Sequence, residues 1–149
     1  MGLYEQIDAD LKQAMRDRDE VAKLTLRSVK TALTEASKAG ADHTLSEDQV
    51  MSVLQKEAKG RRDAAAEYER VGQPHRAAQE NAELAVLERY LPRQLGEQEI
   101  EALAREAIAE TGATSARDMG KVMPVVMQRA AGAADGKAVS QVVRRLLAG

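Results

Sequence analysis

The residues best placed to do chemistry are cations around a turn of small side chains. Lys121, Arg129, Lys137, Arg144 and Arg145 surround the run Ala130-Ala131-Gly132-Ala133-Ala134-Asp135-Gly136. Such a turn lets a sugar-phosphate backbone approach the peptide groups, so Gly132 and Gly136 join the cations as candidate nucleic-acid contacts. The first amides of the helix that follows can hold a phosphate, and the cations can neutralise several. The competing reading is a plain helix connection with ordinary surface charges. A second basic patch, Lys56, Lys59 and Arg62, recurs at three-residue spacing, with Arg61 beside it and Arg27 and Lys30 as candidates to join it. Glu57 and Asp63 interleave with it, which is the pattern of a solvated helix face.

Other chemistry finds no residues. His43 and His75 fall in loops with no second His or Cys at ligand spacing, so no metal is expected. The chain has no Cys, which removes thiolate ligands, thiol nucleophiles and disulfides. Gly120-Lys121-Val122 lacks both the upstream glycines and the strand of a phosphate loop, and no Ser, His and Asp set can converge. The expectation is no catalytic residue and no cofactor.

The elements that must position the cations are helices. The 149 residues are 44% hydrophobic and 31% charged, yet include no Phe, no Trp and three Tyr. A surplus of Ala, Leu, Val and Met suits helices packed through small side chains rather than a sheet core. Leu3, Ile7, Leu11 and Ala14, with Met15 beside them, predict a first helix over 3–17. Asp19 caps a second, with a stripe of Ala22, Leu26, Val29, Leu33 and Ala36 widened by Leu24 and Ala32 and ended by Gly40. Ser46 and Gln49 are spaced for a capping box, opening a long helix through Val50, Leu54, Ala58, Ala65 and Tyr68 to Gly72. Pro74 starts a fourth, carrying Ala77, Ala78, Asn81, Leu84, Ala85 and Leu87, and the long pair should form an antiparallel hairpin.

Pro92 stops that pattern, because it lacks a backbone donor and pushes Leu91 out of helical angles. Leu87, Tyr90, Leu91 and Leu95 bracket it and make the stop an anchored joint. Beyond it, Gly96 and Gly112 bound a fifth helix, and Ser115 with Asp118 starts a sixth that Pro124 should kink. Asp135 caps a seventh, whose apolar face runs from Val139 to Leu147. The fold expected is all-α, with an N-terminal helical domain over 1–92 containing a long hairpin and a small three-helix domain over 93–149. Through Pro92 there are 14 Lys+Arg against 17 Asp+Glu; from Arg93 there are 8 against 7, with the acids early and the cations late. Net charge −2 argues against whole-surface attraction to nucleic acid, leaving a local site. No apolar run reaches membrane-spanning length and the start has no signal-peptide pattern, so no membrane partner and a cytoplasmic location are expected.

Several stretches resemble the YqeY family in order and spacing. They are Glu88-Arg89-Tyr90-Leu91-Pro92-Arg93-Gln94-Leu95, Asp118-Met119-Gly120-Lys121-Val122-Met123, and Gly132-Ala133-Ala134-Asp135-Gly136 with the trailing Val139 to Leu147. Leu26-Arg27-Ser28-Val29-Lys30 and Lys59-Gly60-Arg61-Arg62-Asp63 add to the likeness, which covers essentially the whole chain. Gly60 and Pro124 depart from the pattern. The resemblance implies a stand-alone version of the tail of GatB, a subunit of the glutamine-dependent amidotransferase that converts misacylated tRNA. That tail is helical, has a larger and a smaller part, and holds the tRNA body, while a separate domain does the chemistry. This chain has no counterpart of that domain. The resemblance thus implies a module that binds tRNA or structured RNA, associated with tRNA-dependent amidotransfer but without carbon-nitrogen ligase activity alone. The alternative is a protein-interaction module docking on an amidotransferase or aminoacyl-tRNA synthetase through the long hairpin, without RNA contact. An enzyme with a site the residues do not reveal is the third reading.

Overall fold

The computed structural model of the protein describes residues 2–40 and 42–149. Among them every regular element is helical: α1 (Leu3–Arg16), α2 (Glu20–Ser37), α3 (Glu47–Arg70), α4 (Pro74–Glu88), α5 (Glu97–Thr111), a 3-10 turn at Ala116–Asp118, α6 (Met119–Ala130) and α7 (Gly136–Ala148). The chain divides into two compact units, Met1–Leu91 and Pro92–Gly149. None of the helices is long and apolar enough to cross a membrane, among the described residues.

In the first unit the helix starts are set by side chains that take up amides left without helical partners. The Asp19 carboxylate accepts from the Ala22 amide at 3.1 Å. Ser46 and Gln49 form the reciprocal box, with the Gln49 amide donating to Ser46 Oγ at 3.2 Å and the Ser46 amide to Gln49 Oε1 at 2.7 Å. Pro74 sits in the first turn of α4, and Gly72, at φ +75°, supplies the left-handed turn between α3 and α4. Those two helices pack on each other most extensively. Ala58 and Ala77, both fully buried, let their backbones come close.

Ile7, Leu26, Val29, Leu33, Val50, Leu54 and Leu87 fill the core of this unit. The stripes drawn from spacing need three corrections. Leu24 is 53% exposed, because it lies on the far side of α2 from Leu26, with the buried Thr25 between them. On α4, Ala78, Asn81 and Ala85 face solvent and Val86 is buried instead. The second helix stops at Ser37, three residues before Gly40.

Tyr90 closes the unit. Its ring is buried, and its hydroxyl donates to the Asp10 carboxylate on α1 at 2.6 Å. Burial, and then that carboxylate, push its pKa well above the ordinary value of 10.0. A raised folded-state pKa stabilises the fold fully below pH 10.0, and the contribution is lost as pH rises beyond it. Tyr90→Phe is therefore expected to show a flatter decline of stability between about pH 9 and pH 11 than the parent, measured by urea unfolding. Equal declines in the two proteins would mean that Tyr90 does not titrate in this way.

The second unit builds its own core from Ile100, Ala104, Ala107, Val122, Val126, Val139, Val142 and Val143. Gly96 takes the N-cap of α5 and Gly112, at φ +71°, ends it. The Asp118 carboxylate accepts from the Thr114 and Ser115 amides at 2.8 and 3.3 Å, which holds its pKa below the ordinary carboxylate value. Those bonds open the 3-10 turn, and α6 follows directly and continues through Pro124. The segment after Pro92 is tied down by the Leu95 amide, which donates to the Ala133 carbonyl at 2.8 Å.

Candidate nucleic-acid interface

The turn between α6 and α7 forms because two successive residues, Ala131 and Gly132, adopt positive φ, at 48° and 81°. Gly132 therefore answers a backbone demand of the turn itself. Gly136 does not: a Cβ there would lie 3.8 Å from Met127 Cε, an ordinary contact, so no close packing inside the protein requires a glycine. Asp135 holds the N-cap position of α7. An acidic residue there sets a like charge beside any phosphate drawn to the first amides, which disfavours the helix end as the main contact.

The five cations around the turn do not act alike. Arg129 reaches across to α5, with Glu106 at 3.7 Å and Glu110 in direct hydrogen-bond contact. Arg145 also turns to α5, to Glu101 at 3.1 Å and Glu97 at 3.7 Å. The Glu101 carboxyl is held below its ordinary pKa by hydrogen bonds from Arg105 and then from Arg145. Lys121 lies 3.7 Å from Asp118, at the end of the 3-10 turn that leads into its helix. Three of the five are thus balanced by carboxylates in the same unit, which sequence order could not reveal for the pairs that bridge helices. Lys137 and Arg144 are exposed and form no ion pair or hydrogen bond among the described residues. Seven residues apart, they return to the same side of α7 within about 20° and are separated by about 10 Å along its axis.

The face they share was only half visible in the sequence. Gln141, exposed and four residues after Lys137, lies between them and adds an amide that can donate to a phosphate or a base edge. Its signal was the spacing from Lys137, which an uncharged residue does not announce. Arg145 sits about 80° away from that face by helical geometry and belongs to the packing of α7 on α5.

The second basic patch is spread differently. Lys56 is exposed, and Lys59 pairs with Asp63 at 3.0 Å. Arg62 is partly buried, with one guanidinium nitrogen enclosed and lacking a hydrogen-bond partner. Arg61 reaches Glu83 on α4 at 3.5 Å and lies 3.8 Å from Glu57 on its own helix. Lys30 is committed to Asp8 at 2.5 Å. Helical geometry sets Arg61 and Arg62 about 100° apart around α3, so the run of basic residues is not one surface. No group of three or more His, Asp or Glu suited to a metal ion occurs among the described residues.

A two-unit, all-helical protein with a basic face on its last helix is the class these features define. The chain matches the Yqey-like protein family over residues 4–147 and belongs to it. It is also similar to altered inheritance of mitochondria protein 41, mitochondrial, of Pyrenophora tritici-repentis (strain Pt-1C-BFP). The two are 30% identical over 148 residues, 95% of this chain and 79% of the fungal protein.

Proposed function

We propose that this protein is an accessory module that binds tRNA or another structured RNA through the face of α7 bearing Lys137, Gln141 and Arg144. One observation carries the reading: Lys137 and Arg144 are cations without partners in their own unit, aligned beside a turn of small residues. Long cations left unpaired and in line are free to meet phosphates, whereas Arg129 and Arg145 would first have to leave their carboxylates. The resemblance to the GatB tail favours tRNA as the RNA and amidotransfer as the setting. The name of the fungal relative concerns mitochondrial inheritance and bears on neither point.

Total tRNA titrated into the protein at 50 and 200 mM salt tests this. Two phosphate contacts on a duplex give a slope of roughly −1.8 in log K against log salt, or about a tenfold loss of affinity over that range. Salt-independent binding, or none, favours the protein-interaction module that docks on an amidotransferase or synthetase. With ATP, glutamine and misacylated tRNA the protein alone is expected to yield no transamidated product, since its described residues offer no metal cluster and its sequence no nucleophile set. Product above a buffer blank, in a preparation free of host amidotransferase, would refute that.

A further inference from the structure

We propose that a cavity in the first unit, walled by α1, α2 and the segment leading into α3, is a binding site for a small aliphatic amine in its ammonium form. The cavity measures about 290 Å³, at the lower end of the range for small-molecule sites. Its floor is apolar, formed by Leu33 and Val50, each 1% exposed, with Leu45 beside them. Such a floor accepts a short hydrocarbon chain.

The polar wall selects the charge. Thr34 Oγ1 donates to the Lys30 carbonyl at 2.9 Å and Ser37 Oγ to the Thr34 carbonyl at 2.8 Å, so both hydroxyl protons are committed to the α2 backbone. The Thr44 hydroxyl and amide are engaged by Asp42, whose carboxyl they hold below its ordinary pKa. What these three residues can offer a ligand is oxygen lone pairs. Glu5 adds a carboxylate that has no ion-pair or hydrogen-bond partner among the described residues. Lys30, whose ammonium lies 6.0 Å from the Tyr4 ring, is already paired with Asp8 at 2.5 Å. A wall rich in acceptors, with one unpaired negative charge above an apolar floor, fits a group with three N–H donors and a positive charge on a short alkyl chain.

His43 contributes a second observation. It adopts φ +55°, a left-handed conformation uncommon for residues other than glycine, and it lines the cavity together with Tyr4 and Glu5.

The test is an NMR titration of the full chain with n-butylammonium, n-butanol and butyrate, following the Thr34 and Thr44 amides and the His43 ring. Saturable shifts are expected with n-butylammonium, binding at least about fivefold weaker with n-butanol, and none with butyrate. Glu5→Gln, an exposed and unpaired position whose replacement leaves the fold intact, should bring the ammonium affinity down to that of the alcohol. Thr34→Leu, on the exposed side of α2, should fill the space and abolish binding with an unchanged melting temperature. The proposal is overturned if no probe saturates, if all three bind alike, or if Glu5→Gln binds the ammonium as tightly as the parent.

Discussion

The double variant Lys137→Glu, Arg144→Glu is expected to lose at least about tenfold in tRNA affinity at 50 mM salt and to show almost no remaining dependence on salt. Both side chains are exposed and unpaired, so reversing them removes attraction to phosphate without taking a partner from any carboxylate. Stability should change by less than about 0.5 kcal/mol. Arg129→Glu provides the contrast, because it would set a third carboxylate beside Glu106 and Glu110. Its expected effect is a modest loss of stability, about 1 kcal/mol or less for a pair this exposed, with tRNA binding retained. Lys59→Glu on α3 is the control for the other patch. If it abolishes binding while the α7 double variant binds like the parent, the RNA contact belongs to α3.

Leu87→Ala is expected to be among the most destabilising single changes in the first unit, at about 2–5 kcal/mol. Leu87 is fully buried at the end of α4, in the cluster that also holds Ile7, Leu26 and Leu54. Removing its branched end leaves a cavity that closely packed helices cannot collapse to fill, so the loss includes both transfer and cavity contributions. Urea unfolding should show a lower midpoint with an unchanged slope. A loss below about 1 kcal/mol would mean that the end of α4 is loosely packed.

Much of this architecture was legible because helix ends are written locally. Ser46 with Gln49, Asp19, Pro74 and Gly112 each act within a few residues of themselves, and each stands where spacing placed it. Burial was harder to read. Ala is almost as compatible with solvent as with a core, so the alanines of α4 do not show which side faces inward, and the buried Val86 stands outside their spacing. The candidate interface was legible as a group of cations and illegible as a surface. Whether Arg129 and Arg145 are available depends on Glu110 and Glu101, which are 19 and 44 residues away along the chain. Only tertiary packing brings such charges together, whereas Lys137 and Arg144 share a face by helical period alone.

The hydrogen bond from the Leu95 amide to the Ala133 carbonyl makes the step from Leu95 into α5 intolerant of changes in length. One extra residue between Leu95 and Glu97 would carry that amide out of register while α5 stays packed, and leave a carbonyl of the α6–α7 turn without its donor, so insertions and deletions there should be selected against. The turn at Gly72 has open space where a side chain would begin, and its residues Val71 to Gln73 are all exposed. Length variation among descendants of this chain should therefore collect at the tip of the α3–α4 hairpin, and a reporter peptide meant to leave the rest undisturbed belongs there.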